Sequence, residues 1–229
     1  MNESINNAIT ITDSIEKESV SDKNLLYVFI KRSLDIFGAL LGLILLIPII
    51  LIIKVCSIIN KDYKSIFFTQ IRIGKDGKPF KLYKFRSMVP NADEILKEIL
   101  KSNSKEAEEY RLMKKITNDP RVTKVGRFIR KYSIDEFPQI INILKGDMSF
   151  IGNRPYLPRE IIDMGNYYDY IIKTKPGLTG YWQVNLRSRG TFEERLMMEK
   201  YYSNNYSFKM DMEIFFKTFK VVLKGDSAK

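Results

Sequence analysis

The chain has 229 residues, 45% of them hydrophobic, which suits one domain with an appendage and a real core. A single cysteine, Cys56, excludes an intramolecular disulfide and a cysteine-type structural zinc site, and the absence of histidine leaves a carboxylate, lysine or tyrosine as any general base. The formal charge of +11 implies anionic partners, whether nucleic acid, a lipid surface or phosphorylated small molecules, and any metal held by these side chains would have oxygen ligands, which favours magnesium.

Residues 1–24 are polar and mix acids with bases, unlike the cationic start of a signal peptide, and the stretch 1–27 reads as a mobile polar tail. Lys31 and Arg32 then introduce IFGALLGLILLIPIILII, residues 36–53, which is uncharged and ends at Lys54. At about 1.5 Å per residue this run just reaches across a hydrocarbon core of roughly 30 Å. Pro48 lies inside it and should kink or break the helix near Ile44 to Pro48. Basic residues flank both ends, with Lys54, Lys61 and Lys64 beyond the run, so a simple span puts one cluster on the disfavoured side of the membrane. A re-entrant helix-break-helix over residues 28–60 removes that conflict; a kinked single span is the alternative. Asp35, one turn from Lys31 and Arg32, is placed to pair with either at the interface.

Residues 61–229 are expected to form the catalytic domain. SIFFTQIRIGKDGKPFKLYKFRSM predicts two strands reversing at Gly74 and Gly77. Asn91 to Lys115 predicts a long, solvated helix capped by Asn91, and Asn118-Asp119-Pro120 is a turn. Lys124, Arg127, Arg130 and Lys131 crowd the next stretch. Near the end, Phe208, Met212, Phe215, Phe219 and Val222 recur at helical spacing among lysines, a stripe that suits either core packing or a helix lying on lipid headgroups. The expected fold class is α+β, mostly helical: the re-entrant membrane segment, a small β-hairpin or sheet, and interfacial amphipathic helices.

Within KYSIDEFPQI, Asp135 and Glu136 stand side by side between apolar residues. Ser133 and Glu136 fit a capping box; alternatively Asp135 is itself the N-cap, with Pro138 in the first turn. Phe137, Ile140, Ile141 and Leu144 then mark one face of a short helix that Gly146 stops. Either arrangement puts the acids at the positive end of a helix dipole, where phosphate and metal also gather, so capping and catalysis are compatible.

GRFIRKYSIDEFPQIINILKGDMSFIGNRP resembles a signature block of the bacterial sugar transferases, the monotopic polyprenyl-phosphate phosphoglycosyl transferases. KRSLD, QIRIGKDGKPFKLYKFRSM and KPGLTGYWQVNLRSRG agree in order, and the resemblance runs from about Lys31 to Gly225. It implies transfer of a sugar phosphate from a UDP-sugar to undecaprenyl phosphate at the cytoplasmic face of the bacterial inner membrane, through a covalent intermediate on Asp135. It also implies a re-entrant helix, magnesium beside Asp135 and Glu136, and phosphate-binding roles for Lys84, Arg86, Arg130, Arg154 and Arg187, with Gln183 near the nucleotide. Three departures stand out: Asn153 in GNRP where the family usually has proline, Leu186 in place of a glycine, and Ile47 in place of a serine before Pro48.

A carboxylate attacks phosphorus to give an acyl phosphate, and both attacking oxygens in this chemistry are already anionic, so the lack of histidine is no obstacle. The barrier is charge repulsion, which cations and magnesium relieve. Two other classes compete. A membrane-tethered scaffold with a degenerate site would rest on the departures at Asn153 and Leu186. A nucleic-acid binder would rest on charge alone, and the basic residues lie in separated blocks instead of a recognised module, so no nucleic-acid partner is expected.

Overall fold

The computed structural model describes residues 2–102, 104–186 and 190–223, with residues 2–24 and 221–223 given by backbone alone. Elements follow in the order α1 (Asn2–Ile59), β1 (Phe67–Ile73), β2 (Pro79–Phe85), α2 (Ala92–Lys101), α3 (Lys105–Met113), α4 (Lys124–Lys131), a 3-10 segment Ile134–Gln139 and α5 (Ile140–Lys145). β3 (Ser149–Ile151), α6 (Ile161–Met164), α7 (Tyr168–Ile171), β4 (Gly177–Thr179), α8 (Tyr181–Asn185), α9 (Phe192–Asn205) and α10 (Phe208–Leu223) complete the chain. The mostly helical α+β class expected from the sequence is what forms.

Helix α1 has a helical backbone from Asn2 and continues through Pro48 to Ile59, so of the kink or break expected at Pro48 no break forms. Leu25–Ile59 is the one stretch among the described residues long and apolar enough to cross a membrane, by length and composition. A seam of small, polar and aliphatic residues runs down it: Asp35, Ala39, Gly42, Leu46, Ile53 and Ser57 are buried, at the roughly 3.5-residue spacing of a packed helix. A Cβ on Gly38 would lie 2.7 Å from the Phe150 ring, and one on Gly42 would lie 2.5 Å from Ile140 Cδ1, so these two glycines set how closely α1 seats on the domain. Leu46 and Ile53 join Ile66, Phe85 and Ile129 in one core cluster, while Ala39 joins Phe80, Leu82, Ile140, Ile143 and Met148 in another. The opposite face, including Leu34, Phe37, Leu41, Ile44, Leu45, Leu51 and Ile52, is exposed and apolar.

The basic entrance to the apolar run is fastened to the domain. Lys31 forms an ion pair with Asp211 of α10, and Tyr27 and Tyr202 also donate to that carboxylate. Arg32 caps α5, donating to the carbonyls of Ile143 at 2.6 Å and Leu144 at 2.8 Å. Asp35 pairs with neither Lys31 nor Arg32: it accepts from Ser149 Oγ at 3.0 Å and from the Phe150 N–H at 2.9 Å, satisfying the start of β3. Burial explains this choice, because a carboxylate removed from water takes the fixed donors that face it.

β1 and β2 pair antiparallel from Phe67 opposite Phe85 to Ile73 opposite Pro79, and the chain reverses with positive φ at Asp76 and Gly77. A second two-stranded sheet, parallel β3–β4, was not foreseen; strands of three residues are too short to show a period. The single helix expected over Asn91–Lys115 is two, α2 and α3, separated where Ser104 caps α3 by accepting from the Ala107 N–H. Asn91 precedes α2 without a side-chain capping bond.

Candidate active site

The 3-10 segment carrying Asp135 and Glu136 lies against β2 because Asn142 stitches α5 to that strand. Asn142 is fully buried; its Oδ1 accepts the Tyr83 N–H at 3.0 Å, and its Nδ2 donates to Lys81 O at 2.7 Å. A lone buried amide satisfied by strand backbone fixes register as well as distance. Lys84 shares a ribbon face with Phe80 and Leu82 by strand alternation, and its Nζ meets Glu136 Oε1 at 2.7 Å. Arg72, directly opposite Phe80 on β1, presents its guanidinium on the same face.

Neither capping arrangement forms. Ser133 adopts a left-handed backbone with φ of 55° and makes no side-chain cap, while the Glu136 carboxylate is turned to Lys84. The helix that follows, α5, starts at Ile140 and has six residues, stopped as expected by Gly146 at φ 86°. The acids therefore owe their position to β2 more than to a helix end.

A cleft of about 300 Å³ opens here, lined by Arg72, Leu82, Lys84, Glu136, Gln139, Arg154, Pro155, Gly177, Leu178 and Gln183. Asp135, 9% exposed, sits beside it on the same turn as Glu136. Burial pushes the Asp135 carboxyl up to about 6; the neighbouring Glu136 charge adds to this, and Lys84 and Arg130 work against it. For Glu136 burial acts upward too, but Lys84, Arg154 and Arg72 outweigh it and hold that carboxyl below its ordinary value. Arg72 is brought down to about 10 by burial and by Arg154, and so keeps its charge at neutral pH. Arg154 is half-buried, which acts downward, yet Glu160, Glu136 and Glu199 raise its pKa. The arrangement is an acidic pair whose two pKa values are pushed apart, faced by the cations Lys84, Arg72 and Arg154: a setting that suits a polyanion beside a carboxylate.

Of the residues singled out in the sequence, Lys84, Glu136, Arg154 and Gln183 line this cleft, with Asp135 adjoining. Arg130, in the last turn of α4, acts on Asp135 through its charge. Arg86 points elsewhere: its Nη2 donates to both Asp62 carboxylate oxygens at 2.9 and 3.0 Å and its Nε donates to Ser65 O at 2.6 Å, clamping the end of α1 to β2. Arg187 lies outside the described residues. Arg72, Gln139 and Asn142 were missed. A lone arginine on the inward face of an otherwise apolar strand, and a lone asparagine inside INIL, were the available signals.

Two of the three sequence departures are accommodated locally. Leu186 has φ of −92°, a value open to any residue, so no glycine is required. Asn153, 2% exposed, uses its side chain to anchor the loop that carries Arg154. Among the described residues no group of three or more His, Cys, Asp or Glu side chains gathers to hold a metal. The two-carboxylate donor set still suits magnesium, which is commonly held by one or two carboxylates together with waters and substrate phosphate oxygens.

A turn-borne acidic pair thus stands beside a cleft lined by Arg72 and Arg154, on a domain that carries a helix long and apolar enough to cross a membrane by length and composition. The chain belongs to the bacterial sugar transferase family, whose model matches residues 26–225. It is 42% identical over 200 residues to an undecaprenyl-phosphate galactose phosphotransferase of Salmonella typhimurium, covering 87% of this chain and 42% of that one. It is 40% identical over 200 residues to a UDP-galactose-lipid carrier transferase of Erwinia amylovora, with the same coverage. An exopolysaccharide production protein, ExoY, of Sinorhizobium fredii is 40% identical over 193 residues, 84% of each chain. The chain thus spans about two fifths of the length of the first two relatives and most of the third.

Proposed function

We propose that this chain transfers a sugar 1-phosphate from a UDP-sugar to undecaprenyl phosphate, releasing UMP, as the first membrane step of polysaccharide or glycoconjugate synthesis. The observation that carries this reading is the separation of roles in the acidic pair: Glu136 is held ionised by Lys84, whereas Asp135 has no ion pair among the described residues and adjoins a cleft lined by Arg72 and Arg154. The names of the relatives supply the carrier and the donor class. Asp135 attacks the phosphorus that bears the sugar; the bond from that phosphorus to the UMP oxygen breaks, and UMP leaves as an anion. A phosphate oxygen of the lipid then attacks the same phosphorus, the acyl-phosphate bond breaks, and Asp135 is restored. Lys84, Arg72 and Arg154 hold the two phosphates and spread their charge. Magnesium, held by Asp135 and Glu136, would neutralise further charge on the diphosphate.

The places where α1 is tied down support the membrane reading. Lys31 and Arg32 at one end, Ala39 and Leu46 in the middle, and Ile53 with the adjoining Asp62–Arg86 pair at the other end all contact the same domain. A helix that crossed the bilayer while packed this way would drag charged groups such as Arg32 and Lys84 into hydrocarbon. A monotopic placement, with the exposed face of α1 in the lipid and both its ends on the cytoplasmic face of the inner membrane, avoids that cost. Exposed Phe128, Phe215, Phe216 and Phe219 on α4 and α10 extend the lipid-facing surface.

The test is a donor panel led by UDP-galactose and UDP-N-acetylgalactosamine, with undecaprenyl phosphate and magnesium. UMP release and a sugar-phosphate mass adduct on the chain are expected. UDP release would replace this reading with direct glycosyl transfer.

A further inference from the structure

Arg154 is aimed by a helix that never reaches the cleft. Glu199 and Ser203 lie one turn apart on the inner face of α9, 1% and 6% exposed. Glu199 Oε1 accepts the backbone N–H of Arg154 at 2.9 Å, and Ser203 Oγ accepts from Asn153 Nδ2 at 2.6 Å. The same Nδ2 lies 3.2 Å from Ile171 O and 3.2 Å from Thr174 Oγ1, so one amide ties the loop to α7, to the segment after it and to α9. From the other side, Gly152 donates to Thr179 O at 3.0 Å and Asn153 O accepts from Gly177 at 2.7 Å. There is no slack there either: a Cβ on Gly152 would sit 2.3 Å from Lys175 O.

This double restraint matters because arginine has a long, rotamer-rich side chain. Its guanidinium meets a phosphate reproducibly only if the backbone beneath it is fixed, and a misplacement of about 1 Å is enough to cost much of the rate. A proline at position 153 would restrain the loop through its ring, whereas Asn153 does so through hydrogen bonds. We propose that Glu199 and Ser203 are positioning residues that hold the Asn153–Arg154 peptide, as hydrogen-bond acceptors, so that Arg154 engages the donor's phosphates. The proposal rests on the reading of the cleft as a nucleotide-sugar site.

Burial pushes the Glu199 carboxyl up to about 8, so an uncharged glutamine, which keeps the accepting oxygen, is a close mimic at neutral pH. The experiment is calorimetric titration of UDP into the full chain in lipid nanodiscs with magnesium, for wild type, Glu199→Leu, Glu199→Gln, Ser203→Ala, Arg154→Ala and the Glu199→Leu/Arg154→Ala double variant. Glu199→Leu should weaken UDP binding about tenfold and Ser203→Ala about threefold, with Glu199→Gln within about twofold of wild type. In the Arg154→Ala background Glu199→Leu should add nothing, because its effect passes through that side chain.

Wild-type affinity in Glu199→Leu, or an equal loss in the Arg154→Ala background, overturns the positioning role while leaving the cleft reading intact. Absence of UDP binding by the wild type overturns the cleft reading, and the positioning role falls with it. Should Glu199→Leu lose its melting transition, Ser203→Ala, which removes one hydroxyl, carries the same comparison with Arg154→Ala.

Discussion

Lys84 Nζ stands 2.7 Å from Glu136 Oε1 across 52 residues of sequence, and Asp135, the next residue back, has no ion-pair partner among the described residues. One lysine therefore divides two adjacent acids into an ionised partner and a group whose protonation depends on pH. Removing it should undo the division. In Lys84→Met, burial is left to act on Glu136 unopposed by its nearest cation, and that carboxyl's pKa should rise. Turnover is expected to fall by about two to three orders of magnitude, as for loss of one charge-stabilising group. Monophosphate release measured against donor concentration checks this; turnover near wild type would refute it.

The Asp135 carboxyl is raised to about 6 by burial, which sets the sign of two pH effects. As a nucleophile it must be ionised, so the rate should fall as pH drops through about 6, measured with saturating donor. Stability runs the other way. A carboxyl whose folded pKa exceeds its unfolded value favours the folded state most at low pH, and that contribution is lost as pH rises from about 4 through about 6. Asp135→Asn should therefore lack activity yet melt higher than wild type at pH 8, by roughly 1–3 kcal/mol, with the gap closing near pH 4. An Asn variant less stable than wild type at pH 8 would contradict the burial argument.

Arg86 clamps Asp62 and does not line the cleft. Arg86→Ala and Asp62→Ala should each lower stability by about 1 kcal/mol and, combined, cost little more than either alone. Donor KM should stay within about twofold, whereas Arg154→Ala should raise it about tenfold or more. A donor KM in Arg86→Ala matching that of Arg154→Ala would return Arg86 to the substrate site.

Gly42 lets α1 approach Ile140, whose own segment follows directly on that of the acidic pair. Gly42→Leu should lower stability by about 1–3 kcal/mol through overpacking and reduce turnover, while the chain still sediments with membranes, because the lipid-facing residues are untouched. Loss of membrane association in this variant would mean that the helix holds lipid by its seam.

For topology, single cysteines at Asn24 and Lys64 in a Cys56→Ser background should both react with a membrane-impermeant maleimide only when the cytoplasmic face is open to it. Labelling of the two positions from opposite faces would establish a crossing helix.

The sequence by itself determined whatever depends on neighbours in the chain. The apolar run between basic clusters, the reversal through Gly77, the stop at Gly146 and the adjacency of two acids are all local, and each formed as the residue pattern implied. Tertiary structure decided who faces whom. Ser133 and Glu136 satisfied a capping pattern, yet a strand lysine took the glutamate, because Asn142 docks that segment on β2. Pro48 was expected to kink or break α1; the helix continues through it unbroken, in a segment whose Leu46, Ile49, Ile50 and Ile53 pack on the domain. Arg86 and Arg154 look alike in their motifs; one closes on Asp62 and the other is held against the cleft by Glu199. Periodicity reports which face of an element is buried, but not which distant element covers it, since that depends on how the whole chain closes and packs.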